Sequence, residues 1–491
     1  MEAQRWFGEA IEQADVRLAD SDEADRRDLG QFFTHPAVAA FMARVLVGGA
    51  APSSAVILDP GAGTGTLGLT LAAELRAAGC ASIKLCAVEL DAVTSDHLAE
   101  ALEAAERAAR GALRTELRHG DFLALAEGAL DQQPLPECDF VIANPPYFKV
   151  SPGVGPGGDA PNIYARFMEM AATLLQPGGR MAFIVPRSFA SGLYFKRFRR
   201  SLHDRLHLEQ VHVFGSRRDA FKEQAVLQEN IIVFYRKGGV APSQILISTS
   251  AGREDLDQAQ TLAVPTETVF RPGDDQAVLH LPSSPADLEV MARFSRWSDR
   301  LETLGLAIST GPVVAFRAKD LLLPDDAPDA LPLLWLNHVR PGRVAWPIPG
   351  FRKQQYMKRD AAAALLWPNN GCVLLRRFSA KEEERRLTAA ALLPGQLPGA
   401  VVGLENHLNV IHRPRTGLTA EEATGIAAFL GSSPCDAWFR IASGSTQVNA
   451  TEIRSLPFPP WDTLRAVGRL LLDAPDTATD VWEGRLYDPA G

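Results

Sequence analysis

Five residues closing on an acid, Ala55-Val56-Ile57-Leu58-Asp59, run into Pro60-Gly61-Ala62-Gly63-Thr64-Gly65 and then into a helical pattern from Thr66 to about Ala77. A short, wholly apolar strand of this kind belongs in a parallel sheet buried on both faces. The loop after it is rich in glycine, which lets the backbone approach a ligand that a Cβ would exclude. Strand, glycine loop and helix together make a nucleotide-binding turn. The spacing is not that of a dinucleotide fingerprint, and no lysine follows for a phosphate loop, so phosphate binding is not the best reading.

The unit repeats along the chain. Ile83 to Glu89 reads as a second strand ending in an acid, placed where a carboxylate can take both hydroxyls of a ribose. A helix from Ala92 to Arg110 follows, then Gly120-Asp121-Phe122, where Asp121 can accept from an adenine amino group and Phe122 can lie against the ring. Asp139-Phe140-Val141-Ile142-Ala143 is a further strand, cut off by Asn144-Pro145-Pro146-Tyr147. Proline fixes φ and cannot donate to a ladder, so this strand stops in a stiff turn that presents a side-chain amide, a carbonyl and an aromatic ring. A helix from Tyr164 to Leu175 and strands Arg180 to Val185 and Ile231 to Tyr235 continue the rhythm. Alternation at this pitch predicts a doubly wound, mostly parallel sheet of the Rossmann type.

The α/β rhythm ends near Lys237-Gly238-Gly239. A connector and packing helix, starting at Ser284-Pro285, is expected over residues 241–300, and a mixed α+β domain of short strands over 301–491, after a first domain of residues 1–240. With 491 residues, more than one core is expected. The glycine- and proline-rich stretch Ser151 to Pro161 reads as a mobile loop beside the Asn-Pro-Pro-Tyr turn. The basic run Arg187, Lys196, Arg197, Arg199 and Arg200 is interleaved with Phe189, Tyr194, Phe195 and Phe198. It reads equally as a solvated face or as a phosphate-contacting surface.

Composition narrows the classes. Five cysteines without paired-ligand spacing read as reduced thiols in a cytoplasmic protein, the histidines show no metal-ligand pairing, and no apolar run is long enough to span a bilayer. The net charge of -9 argues weakly against a polyanion partner, but the charge is uneven and the local field decides.

On these motifs the chain resembles the S-adenosylmethionine-dependent, amino-group DNA methyltransferases of type II restriction–modification systems. Within that family it resembles the branch with the cofactor motifs first and a target-recognition domain last, the gamma-type order. Gln31-Phe32-Phe33-Thr34 is similar to the family's motif for the methionine moiety, and Asp59, Pro60, Gly61, Ala62, Gly63 and Gly65 to its cofactor loop. Glu89 matches the ribose-binding acid, and Asp121 with Phe122 the adenine-binding pair. Asn144, Pro145, Pro146 and Tyr147 match the catalytic tetrapeptide, and Phe221 the second aromatic against a flipped base. His35 departs from the proline often found there in relatives.

The resemblance implies methyl transfer to the exocyclic amine of a flipped-out adenine in duplex DNA, with S-adenosylmethionine becoming S-adenosylhomocysteine and no metal involved. Arg187, Lys196, Arg197, Arg199, Arg376 and Arg377 are then the candidate DNA contacts. The protein is expected to act as a monomer, with the cognate restriction endonuclease a separate chain. A cytosine amine, an RNA guanine or a protein glutamine amide are alternative acceptors that the tetrapeptide also serves. A methyltransferase-like subunit guided by a partner is a further alternative, disfavoured by the long C-terminal half.

Overall fold

The computed structural model describes residues 34–49, 51–128, 133–147, 162–215, 230–270, 277–324, 327, 330–379, 383–443 and 447–488. Phe33, Phe221 and the loop Ser151 to Pro161 lie outside the described residues. The chain divides into two compact units, residues 1–283 and 284–491.

The first unit is built on a nine-stranded sheet of order β3-β2-β1-β4-β5-β7-β6-β8-β9. Its strands are β1 (Ser54–Pro60), β2 (Ser82–Glu89), β3 (Leu113–His119), β4 (Cys138–Ala143), β5 (Leu175–Pro186), β6 (Leu206–Phe214), β7 (Asn230–Lys237), β8 (Gln244–Ser250) and β9 (Gln260–Pro265). Strands β1 to β5 pair parallel, and β7 inserts antiparallel between β5 and β6. The chain runs outward from β1 through β2 to β3, then returns to place β4 on the other side of β1. The β1/β4 boundary is therefore the topological switch point, where loops diverge and leave a crevice outside the strand ends. Asp139 ties the two strands at this boundary: its Oδ2 accepts from the Val56 amide at 2.8 Å, standing in for a ladder carbonyl.

Helices α1 (Pro36–Val47), α2 (Thr66–Ala77), α3 (Ala92–Ala108), α4 (Phe122–Ala126) and α5 (Ile163–Leu174) follow or precede these strands. Val38, Met42 and Leu46 of α1 join Leu69 and Leu75 of α2 and Ile57, Ile142 and Ile184 of the sheet in one buried cluster. Thr34 precedes a helix with Pro36 in its first turn, and its hydroxyl is the cap that the sequence there suggests. His35, not Thr34, is the N-cap, its Nδ1 accepting from the Ala37 amide at 3.2 Å, with Pro36 at the first helical position.

The boundary at Ser283 differs from the expected connector over 241–300. β8 pairs parallel with β6 and carries β9 at its far edge, so residues 244–265 extend the sheet. The helix Pro285–Ser295 begins the second unit, closed at its start by a capping box between Ser284 and Asp287. Its Phe294 stacks on Trp438 with ring centroids 5.7 Å apart.

The second unit holds a four-stranded sheet from Ala307–Thr310, Leu408–His412, Cys372–Arg376 and Ala389–Leu392. A five-stranded sheet contains Ala330–Leu334 and Val401–Leu404 at its middle. Helices Ala420–Gly431 and Trp461–Asp473 pack with backbones in contact, because Gly425 faces the Leu464 carbonyl and Gly468 the Glu421 carbonyl where any Cβ would overlap. The sequence reading expected a mixed α+β domain here but placed none of these C-terminal helices.

Candidate active site

The glycine loop is shaped by main-chain hydrogen bonds to the neighbouring strand. Gly61 and Ala62 both donate to the Val88 carbonyl at 2.9 Å, and Gly61, Gly63 and Gly65 take φ of 73°, 56° and 83°. Those are left-handed values that favour glycine. Gly65 then serves as the N-cap of α2.

Two acids hold this loop from below and from the side. Asp59, at the end of β1, is fully buried, and its Oδ2 accepts from the Gly68 amide at 2.8 Å. Gly68 is a position the sequence reading passed over. A Cβ there would lie 2.9 Å from Asp59 Oδ2 and 2.8 Å from Leu85 Cδ1, so the helix reaches this close to the sheet only with glycine. A further glycine in the first turn of an otherwise apolar helix was the available signal. Burial pushes the Asp59 carboxyl up to about 7, opposed by the Gly68 amide and reinforced by the charge of Glu89. Asp59 is thus a buried support for the loop.

Glu89 ends β2 and is also buried, which raises its carboxyl above the ordinary range. Its Oε2 accepts from the Gly63 amide at 2.8 Å, and its Oε1 from the Leu90 and Asp91 amides, both at 2.9 Å. A carboxylate has about four acceptor sites, so one, on Oε2, is left for a hydroxyl after these three bonds. Leu90, directly after it, is 60% exposed, an apolar side chain at the strand end that the sequence reading did not single out. Asp121 is exposed and caps α4 by accepting from the Leu123 amide at 3.0 Å. Phe122 is buried, with its ring centroid 4.9 Å from that of Phe167 on α5.

The residues present fit an adenosyl group. The glycine loop leaves the space that side chains would fill, with only Phe167 Cε1 in ordinary contact range of a Cβ at Gly61. Glu89 and Asp121 stand at the ends of adjacent parallel strands on the same edge of the sheet.

At the end of β4 the Asn-Pro-Pro-Tyr turn is held by side-chain bonds. Asn144 Nδ2 donates to Thr34 Oγ1 at 3.2 Å, and Asn144 Oδ1 accepts from the Tyr147 hydroxyl at 2.6 Å. The same hydroxyl lies 3.4 Å from the Ile184 carbonyl on β5. Pro145 is buried, whereas Asn144, Pro146 and Tyr147 are half-buried. Burial raises the Tyr147 phenol well above its ordinary value, so it stays a neutral donor. Its ring meets that of Tyr164 edge-on at 6.3 Å.

Comparison with known proteins agrees with this geometry. Residues 133–221, which include the turn, match the Eco57I restriction-modification methylase family. The chain is 32% identical over 463 residues to the type II methyltransferase M.BsuBI of Bacillus subtilis, covering 91% of each chain. It is 31% identical to M.PstI of Providencia stuartii, over 91% of this chain and 90% of that one.

The chain belongs to the type II methyltransferases of restriction–modification systems.

Among solved structures, the fold of this methyltransferase is similar to that of the type IIL restriction-modification enzyme MmeI in complex with DNA. The TM-score is 0.59 at 13% identity, over 96% of this chain and 74% of that one. No helix among the described residues is long and apolar enough to cross a membrane, and no group of three or more acidic, histidine or cysteine side chains among them could hold a metal.

The basic run of the methyltransferase divides by burial. Phe189, Phe195 and Phe198 lie in the core, whereas Tyr194 is 83% exposed. Lys196 is half-buried and Arg197 exposed on the short helix Lys196–His203, and Arg187 is buried just before the turn Ser188–Ser191. Arg199 corrects its expected role as a phosphate contact. It is fully buried and donates to the carbonyls of Ala277, Phe189 and Gly192 at 2.7, 2.8 and 2.9 Å. In the second unit Arg376 is half-buried and donates through Nε to Leu336 and Val339 carbonyls at 3.1 and 2.9 Å. Arg377 donates to the Asn406 carbonyl at 3.3 Å and lies over the Phe378 ring.

Proposed function

We propose that this methyltransferase modifies the exocyclic amine of a flipped-out adenine in duplex DNA, with Asn144 and Pro145 as the two acceptors for that amine. The observation that carries the reading is the site of the turn: the acceptors end β4, beside β1 and its glycine loop, at the topological switch point. Bound S-adenosylmethionine supplies a methyl group on a sulfonium, so the chemistry is an in-line displacement.

What this chain adds is placement and polarity. An adenine amine is a weak nucleophile because its lone pair is delocalised into the ring. The Asn144 Oδ1 and the Pro145 carbonyl, on a turn stiffened by two prolines, accept its hydrogens in the tetrahedral arrangement of the transition state, not in the planar ground state. A neutral amide does this at any physiological pH. Glu89 would hold a ribose hydroxyl, Asp121 the adenine amine of the cofactor, and the loop of Gly61, Gly63 and Gly65 the remaining backbone contacts. Thr34 and Phe33 would border the methionine end. Tyr147 and Phe221 would stack on the flipped base, which must leave the duplex because its amine is otherwise out of reach.

The second unit would read the DNA sequence, and exposed Arg197 and half-buried Lys196, with Arg187 and Arg377, would contact its backbone, whereas Arg376 is committed to its two carbonyls. The protein would act as a monomer, and the cognate endonuclease would be a separate chain. Asn144→Ala should lower methyl transfer to unmethylated genomic duplex DNA by about 10²–10³-fold or more. Its affinity for S-adenosylhomocysteine, measured by calorimetry, should stay within about twofold. Retained turnover would overturn the reading, and so would mapping the new methyl group to an amine other than adenine N6.

A further inference from the structure

We infer that Thr34 is a positioning residue for catalysis: its hydroxyl sets which end of the Asn144 amide faces the target amine. A carboxamide can sit in its socket in two ways that differ little in shape and are opposite in polarity. With Oδ1 toward the substrate, Asn144 accepts a hydrogen from the amine. With Nδ2 there, it would present a donor to a group that has hydrogens to give, and the transition-state bond would be lost.

The main chain does not make this choice, because the prolines stiffen the backbone and not the rotation of the amide about χ2. The neighbouring side chains do. Thr34 Oγ1 accepts from Asn144 Nδ2 at 3.2 Å, which commits the nitrogen to the α1 side of the crevice. The oxygen is then left for the opposite side, where Tyr147 donates to it at 2.6 Å. The Tyr147 hydroxyl can donate and accept, and so would tolerate either orientation. Oδ1 has two acceptor lobes, so the tyrosine bond does not use up the capacity to take the amine.

Thr34 is suited to the task. It is buried, so water does not compete for the bond, and it sits one residue before the His35 cap that fixes the start of α1. Asn144 and Thr34 are 110 residues apart in sequence, and only the closing of α1 against the sheet brings them together. This inference rests on the reading of Asn144 as the acceptor for the amine. It departs from the expectation that Thr34 serves only the methionine moiety of the cofactor.

Thr34→Val keeps the volume and removes the acceptor, and Thr34→Ser keeps the acceptor and removes the methyl group. Full-length variants are compared for single-turnover methylation of unmethylated genomic DNA with labelled S-adenosylmethionine, and for S-adenosylhomocysteine affinity by calorimetry. Thr34→Val should slow methyl transfer about tenfold or more, equivalent to about 1.4 kcal/mol in the barrier, with affinity within about twofold. Thr34→Ser should recover most of the rate. The inference is overturned if Thr34→Val turns over like the parent, if its affinity falls by the same factor as its rate, or if Thr34→Ser is as slow as Thr34→Val. Asn144→Ala, run alongside, separates the two ideas. If that variant is still active, the reading of Asn144 itself has failed; if it is inactive while Thr34→Val is not, only the role of Thr34 has.

Discussion

The carboxyl edge of the first unit's sheet uses its main chain to hold acids, whereas the second unit uses its main chain to hold arginines as well. At the sheet edge the acids are held by main-chain amides: Asp59 by Gly68, Glu89 by Gly63, Leu90 and Asp91, and Asp121 by Leu123. In the second unit arginines are held by main-chain carbonyls: Arg376 by Leu336 and Val339, Arg377 by Asn406, and Arg440 by Glu383 and Glu384. The cause is the type of backbone end each region leaves open. A parallel sheet delivers the amide-rich starts of helices to one edge, where carboxylates are the natural partners. Short strands joined by irregular turns leave carbonyls that only donors can satisfy, and guanidinium has five. An acid at a strand end is therefore a good sign of the site, whereas an arginine in the second unit is a sign of DNA contact only after its structural bonds are subtracted.

Four substitutions test that contrast. Arg199 is a first-unit arginine that behaves as the second unit's do, and Arg199→Met should cost about 3–5 kcal/mol in urea unfolding because three carbonyls lose their donor. A cost below about 1 kcal/mol would break the carbonyl half of the comparison. Arg376→Met should cost about 2–3 kcal/mol for its two carbonyls, with little change in the salt dependence of DNA binding; a shallower salt slope at parental stability would make it a phosphate contact instead.

Asp59 tests the amide half through pH. Its folded carboxyl is raised from 3.8 to about 7, so between those values the folded chain binds a proton that the unfolded chain lacks. That contribution is present below about pH 4 and lost as pH rises toward 7, and the raised Glu89 carboxyl acts in the same direction. Asp59→Asn, neutral at every pH, should flatten the decline and be more stable than the parent at pH 8 by about 2 kcal/mol. An unaltered pH slope in unfolding experiments would refute the raised carboxyl. The smallest change in stability belongs to exposed Arg197. Arg197→Met should leave unfolding within about 0.5 kcal/mol and lower the slope of log affinity against log salt by about 1 on any duplex. If it destabilises like Arg199→Met, burial is the wrong way to sort these cations.

Much of the first unit's fold was legible because buried parallel strands write themselves as mostly apolar runs that stop at an acid or a proline turn. Ala55 to Asp59, Ile83 to Glu89 and Asp139 to Ala143 each correspond to a strand of the sheet. The last two strands, Gln244–Ser250 and, at the edge, Gln260–Pro265, were harder, being polar on one side and close to connector composition. The C-terminal helices were missed for a related reason: Gly425 and Gly468 look like helix breakers until the facing backbones that require them are known.

The residue types and order along the chain were enough to determine a doubly wound sheet, an acid after its second strand and an amide–proline turn after its fourth, since each follows from local periodicity and turn chemistry. Which side of a helix Arg199 and Arg197 face, which amide Asp59 holds, and which hydroxyl bonds to the Asn144 amide nitrogen are set by the fold around them. Only the packed structure decides them, because burial and hydrogen-bond partners are properties of the whole fold and of no stretch within it.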